Sequence, residues 1–183
     1  SDGKFQPNVE DNAFSNRIKS LIALNAISSD MYKKYIEMTP IDVVSVAIDK
    51  IIQIENSNII YHLFNHNHIP MPNFINVIKS LGVKIQVLDK ASFTKLIKTC
   101  MQSESNLSLI QGIIPDISED GSLEYNDNIT IKSEYTKRIL KKIDFEWPIL
   151  TDDYLLKYFN YLKKINFINI RRKKWIVIFQ YYY

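Results

Sequence analysis

The sequence predicts an α/β fold that is mainly helical, with a small parallel sheet. Three observations carry this prediction. Apolar residues recur at helical spacing over most of the 183 residues. Two short β-prone runs, 59–64 and 83–88, lie on either side of a helical stretch, and a helical crossover of that kind makes two strands parallel. A hydrophobic content of 46% in 21.5 kDa is enough for one sizeable core but cramped for two.

The stretch 37–65, EMTPIDVVSVAIDKIIQIENSNIIYHLFN, is expected to organise the rest. Thr39 reads as a helix cap, Pro40 as the first helical residue and Asp42 as a first-turn acid, opening a helix over 40–54. Ile41, Val44, Ile48, Ile51 and Ile52 form its stripe, and Val43, Val46 and Ala47 widen it so far that burial on more than one side is expected. Asn56-Ser57-Asn58 is a turn, after which 59–64 reads as an inner strand.

From the start, 1–8 reads as a loop and 10–27 as an amphipathic helix with Phe14, Ile18, Leu21, Ile22 and Ala26 on one face. Ser28-Ser29-Asp30 breaks that helix and caps a short one over 31–36. A polar loop, 65–72, precedes a helix through Phe74, Val77, Ile78 and Leu81 that Gly82 stops. The strand 83–88 follows, and Asp89 caps a helix with Phe93, Leu96, Ile97 and Cys100 inward, to about residue 102. Between 103 and 131 the pattern gives no clear boundary beyond a surface turn at 118–122. A basic helix is expected over 132–143 with Tyr135, Ile139 and Ile143 inward. Thr151-Asp152-Asp153 opens an aromatic helix through Tyr154, Leu155, Tyr158, Phe159, Leu162 and Ile165. The last stretch, 169–183, is a basic and aromatic tail, read as either a docking strand or an artificial end.

Charge is unevenly spread. Residues 1–131 hold 11 basic and 15 acidic side chains, whereas 132–183 hold 12 and 5. The last third could therefore face an anion, although basic helix faces are more often simply solvated. The single cysteine, Cys100, excludes an internal disulfide and suits a reducing compartment. No apolar run approaches the ~20 residues of a membrane span. A cytoplasmic protein that does not meet the membrane is expected, and the opening at Ser1 in polar sequence suggests a piece of something longer.

Several chemistries lack their residues. Gly3, Gly82, Gly112 and Gly121 are too scattered to cradle a phosphate, so neither a dinucleotide nor a Walker fingerprint is present. His62, His66 and His68 cluster, but their spacing fits no metal shell and no cysteine or carboxylate completes one. No tyrosine has a lysine four residues on, the spacing that favours a phenolate in short-chain reductases. No acid–base machinery is visible.

Taken in order, 1–27, then IEMTPIDVVSVAIDKII, then NIIYHLFNHNHIPMPNFINVIKSLGVKIQVLD, then FEWPILTDDYLLKYFNYLKKINF, the chain resembles the terminal thioester reductase domain of nonribosomal peptide synthetases over about residues 1–168. That family resembles extended short-chain dehydrogenases. The matching part is the C-terminal, substrate-side one, following the catalytic tyrosine and lysine. The resemblance implies reduction of a carrier-bound peptidyl or acyl thioester to an aldehyde or alcohol, with NADPH and the catalytic residues supplied by an N-terminal half that this chain lacks. It implies a chain that is inactive alone, with no catalytic, cofactor or metal residue of its own. Residues 6–17 would line the route of the pantetheine thioester, with Asn12, Phe14 and Arg17 facing substrate. Lys137, Arg138, Lys141 and Lys142 would meet an acidic phosphopantetheinyl carrier domain, by charge complementarity that acts more on encounter rate than on affinity. The alternatives are a non-catalytic helical binding module whose basic third docks an acidic protein or, less readily, nucleic acid, and a purely structural subdomain.

Overall fold

The computed structural model describes residues 5–54, 59–119, 122–123 and 131–170. The tail beyond Ile170 therefore lies outside the described residues, as do the turn 56–58 and Gly3 and Gly121.

A 3₁₀ turn, Val9–Asp11, leads into α1, Ala13–Leu24. Asn12 caps α1, its side-chain oxygen accepting from the Ser15 amide at 2.8 Å. The helix stops three residues before the expected end, because Asn25 adopts the left-handed conformation (φ 51°) that Asn tolerates better than most residues. This frees Ala26–Ser28 to form strand β1, which the helical periodicity of 10–27 had concealed. Ser28 caps a single turn, α2, Ser29–Tyr32, and strand β2, Tyr35–Ile36, follows where helix was expected.

Helix α3, Ile41–Ile52, departs most from expectation. Pro40 is its N-cap residue and no side chain caps it. Thr39 instead donates its hydroxyl to Glu37 and accepts the Asn65 amide at 2.8 Å, so it ties two loops together. Only Ala47 is buried, and Ile41, Val46, Ile48 and Ile52 are exposed. The inner face, Val43, Ala47 and Ile51, packs in a small cluster with Leu63, Leu140 and Phe145. One neighbour covers one face, so the doubly buried helix expected from composition is buried on a single side. Segment 59–64 is likewise no inner strand. It belongs to no ladder, and the hydroxyl of Thr136 accepts the His62 amide at 3.1 Å.

Strand β3, Ile69–Pro70, pairs antiparallel with β2. It leads directly into α4, Met71–Ser80, which begins earlier than the periodicity suggested because Pro72 suits the first turn. Gly82, at φ 94°, turns the chain toward strand β4, Gln86–Leu88. Of the parallel strand expected over 83–88 only Gln86–Leu88 forms, and its partner is β1, in register Ala26↔Gln86, Ile27↔Val87 and Ser28↔Leu88. Asp89 caps α5, Lys90–Met101, as expected, its carboxylate accepting from the Ser92 amide at 3.0 Å. Helix α6, Glu104–Ile110, fills the stretch that sequence left without boundaries, and a 3₁₀ turn, Ile114–Asp116, follows.

Helix α7, Glu134–Lys142, turns Thr136 and Leu140 inward; Tyr135 is exposed and Ile139 only half-buried, so the expected inward face is rotated. Its last carbonyls are met by Lys50 of α3, whose ammonium donates to the Ile143 carbonyl at 3.1 Å. Helix α8, Asp152–Lys164, is capped by Thr151 and buries Leu155, Tyr158, Phe159 and Leu162.

The main core joins α1, α4 and α8, with Ile18, Leu21, Phe74, Ile75, Ile78, Phe159 and Leu162 fully enclosed. A second cluster places Phe93, Ile97 and Cys100 of α5 against Ile110, Ile113, Leu24 and Ala26. Gly112 lets the turn after α6 pack directly on α1, since a Cβ there would collide with the backbone of Asn16 and Arg17. The fold is thus mainly helical with a small parallel sheet. Among the described residues no helix is long and apolar enough to cross a membrane.

Candidate substrate cleft

The short chain from Phe5 to Asn12 crosses the ends of α1 and α8 because Phe5 is an aromatic side chain at a place where three tyrosines of α8 present ring faces and edges. Its ring lies 5.2–5.7 Å from those of Tyr158, Tyr161 and Tyr154. The backbone carbonyl of Gln6 accepts from the Tyr161 hydroxyl at 3.2 Å, and the Gln6 side chain bridges Asn8 and Asn12 at 2.9 and 3.0 Å. What results is an open cleft of about 250 Å³ with an aromatic wall of Phe5, Phe14, Tyr154 and Tyr158 and a polar rim of Gln6, Asn12 and Glu37.

Tyr158 and Ser15 join the cleft to the core. Their oxygens lie 2.9 Å apart in a buried hydrogen bond between helices 143 residues apart in sequence. Burial pushes the Tyr158 phenol up to about 12 despite the opposing Ser15 hydrogen bond, and burial likewise raises Tyr154. Both therefore remain neutral hydroxyls at ordinary pH, able to orient a polar group but not to act as phenolates.

A second cleft of about 220 Å³ adjoins the first, since Phe14 and Glu37 line both. Arg17, Lys34, Tyr35 and Met71 are among its walls. The Arg17 guanidinium grips Asp116 with two hydrogen bonds of 2.8 Å, so its orientation is fixed by the 3₁₀ turn after α6. Asn12, Phe14 and Arg17 thus come together along one continuous pair of clefts, Asn12 and Phe14 on the first and Phe14 and Arg17 on the second. Asn12 also caps α1, and Phe14 meets Phe74 and Tyr158 with ring centres at 5.9 and 6.3 Å.

Sequence reasoning missed Tyr154, Tyr158, Met38 and Glu37 as lining residues, having assigned the aromatic stripe of α8 to the core alone. The available signal was the hydroxyl: a stripe with Tyr rather than Phe at 154 and 158 must present oxygen somewhere that tolerates it.

The basic residues of α7 lie elsewhere. Lys137 pairs with Glu134 at 3.2 Å, Arg138 lies 5.4 Å above the Tyr135 ring, and Lys141 and Lys142 occupy the exposed last turn. The histidines do not converge: His62 and His68 are exposed, while His66 is wedged against Phe64 and Trp147. Among the described residues no three His, Cys, Asp or Glu side chains gather as metal ligands. Burial raises the Cys100 thiol, which opposes thiolate chemistry. No α-helix among the described residues begins at a glycine turn. Gly82 follows a helix end, and Gly112 is spent on close packing.

No family model matches the chain, and no curated protein matches it. Solved structures do. The chain is similar to a thiolation-reductase di-domain from an archaeal non-ribosomal peptide synthetase, at 28% identity and a TM-score of 0.77, covering 91% of this chain and 34% of that one. It is similar in fold to the aureusimine biosynthetic cluster reductase domain, at 22% identity, TM-score 0.65, and 88% and 40% coverage. It is also similar in fold to the terminal R domain from the myxalamid PKS-NRPS biosynthetic pathway, at 19% identity, TM-score 0.68, and 92% and 41% coverage. The chain spans 34–41% of the length of these structures. Over about nine-tenths of its residues, then, it is built like the C-terminal part of the terminal thioester reductase domains of peptide and polyketide synthetases.

Proposed function

We propose that this chain is the substrate-side portion of an NADPH-dependent thioester reductase, which releases a carrier-bound peptidyl or acyl thioester as an aldehyde or alcohol and is inactive by itself. The observation that carries this reading is the aromatic cleft with its amide rim, set in a fold shared with reductase domains. Phe5, Phe14, Tyr154 and Tyr158 offer an acyl or peptidyl chain an apolar wall that excludes water. Asn12 and Gln6 offer amide donors and acceptors to the amide groups of a pantetheine arm or peptide. Hydride chemistry belongs to a nucleotide held by another part of the reductase, and no residue described here donates or accepts the reaction's proton. The exposed basic turn of α7 gives an acidic carrier domain a complementary face, and its effect falls chiefly on the rate of encounter.

The test joins this chain to the part of the archaeal reductase that it does not cover and follows NADPH absorbance. Consumption is expected only when an acyl-pantetheine thioester is supplied, and Phe14→Ala is expected to raise KM about tenfold by removing one aromatic contact. Consumption that ignores the thioester, or a Phe14→Ala variant with unchanged KM, contradicts the reading.

A further inference from the structure

The first cleft carries charge at one point. Phe5, Phe14, Tyr154 and Tyr158 wall it, and Glu37 is the only ionised side chain among the described residues that line it. Tyr154 and Tyr158 stay protonated at ordinary pH, so they add no second anion. The Glu37 carboxylate is anchored. It accepts the Thr39 hydroxyl, and Thr39 in turn accepts the Asn65 amide at 2.8 Å, which ties the carboxylate to the loop after segment 59–64. No lysine or arginine among the described residues forms an ion pair with it. The neighbouring cations, Arg17 and Lys34, line the second cleft, and the Arg17 guanidinium is committed to Asp116.

An anchored carboxylate without a cation, at the edge of an aromatic-walled cleft, suits one class of ligand group. An alkylammonium pairs with the carboxylate, while the rings attract its positive charge and pack against its methylenes. A chain ending in a carboxylate meets like charge there, and a neutral chain gains nothing from Glu37. We therefore propose that the first cleft is a subsite for an ammonium group carried on the acyl or peptidyl chain. Glu37 is its counter-ion, so the reductase prefers thioesters of amine-bearing chains. The inference rests on the reading of this cleft as the place of the acyl or peptidyl chain. It adds a selectivity that an apolar wall alone does not provide.

The experiment titrates the 183-residue chain, by calorimetry at low salt, with acyl-pantetheines of similar length: aminohexanoyl, heptanoyl and adipoyl. Aminohexanoyl is expected to bind about fivefold more tightly than heptanoyl, the size of one exposed ion pair with one ring contact, and adipoyl more weakly than either. Glu37→Gln keeps an oxygen to accept Thr39, and in it the ratio of aminohexanoyl to heptanoyl affinity should fall to about one. In Glu37→Lys the order of aminohexanoyl and adipoyl should reverse. The ratio is the readout because a damaged fold weakens every ligand together. Equal affinities for aminohexanoyl and heptanoyl, or a preference that survives Glu37→Gln, overturn the ammonium subsite and leave the proposed function standing. If no acyl-pantetheine binds, the proposed function is the reading that fails, and NMR titration with hexylammonium and hexanol then decides the subsite. A preference for hexylammonium that Glu37→Gln abolishes upholds it, and the absence of one overturns it.

Discussion

Tyr158 holds its ring in the main core and its hydroxyl on Ser15, and the burial of that phenol, which outweighs the opposing Ser15 hydrogen bond, makes stability depend on pH. A phenol that titrates near 10 when unfolded and about 12 when folded keeps its proton longer in the native state. The unfolded chain then binds fewer protons, so stability is intact below about pH 10 and falls as pH rises from 10 to 12, by about 2–3 kcal/mol in all. Urea midpoints at pH 9 and pH 11.5 should show this fall, and Tyr158→Phe should flatten it. The same variant should be about 1–3 kcal/mol less stable at neutral pH, because it leaves the Ser15 hydroxyl buried without a partner. Arg17 and Asp116 form the other residue-scale tie. Their bidentate pair is part-buried, so Arg17→Ala and Asp116→Ala should each lose about 1–2 kcal/mol. In a double-mutant cycle read by denaturation, the double variant should lose less than the sum of the two. Phe14 was named as substrate-facing only through the family resemblance, its own pattern reading as helix core, and it lines the first cleft. Asp116 was not legible, since nothing local in the sequence announces a partner 99 residues away.

At the scale of elements, the two described glycines separate packing from conformation. Gly112→Ala forces a Cβ into the backbone of α1 at Asn16, where no flexible side chain can give way, and should cost about 3 kcal/mol or prevent folding. Gly82→Ala meets open space and carries only the strain of a left-handed backbone, about 1 kcal/mol. Thermal melts of the two variants should differ accordingly. Helix existence was readable wherever a cap and a periodic stripe coincided, as at Asp89 and Thr151. Strand pairing was not. Ala26–Ser28 continues the helical period of α1, and only Asn25 in its left-handed turn reveals the break. Segment 59–64 misled in the opposite way, because strand composition states what a segment favours and not whether a partner strand is present. The isoleucines of α3 misled for the same reason: composition gives the apolar area but not its cover.

For the molecule as a whole, the uneven charge and the ordered segments of resemblance were present in sequence, and the ordered segments place the chain beside reductase domains. The spatial union of Phe5, Asn12, Phe14 and α8 into a cleft was not readable, since it depends on a long-range crossing that a periodic pattern does not encode. Charge acts at this scale too. Lys141→Glu with Lys142→Glu should lower kcat/KM several-fold for a carrier-bound thioester at low salt, with little change for free acyl-pantetheine. A comparable loss with both substrates would place those lysines outside carrier recognition. The division of labour itself is tested most directly by calorimetry on the 183-residue chain alone, titrated in turn with NADPH and with an acyl-pantetheine. The expected result is saturable heat from the acyl-pantetheine, abolished by Phe14→Asp, and none from NADPH; saturable binding of NADPH would contradict it.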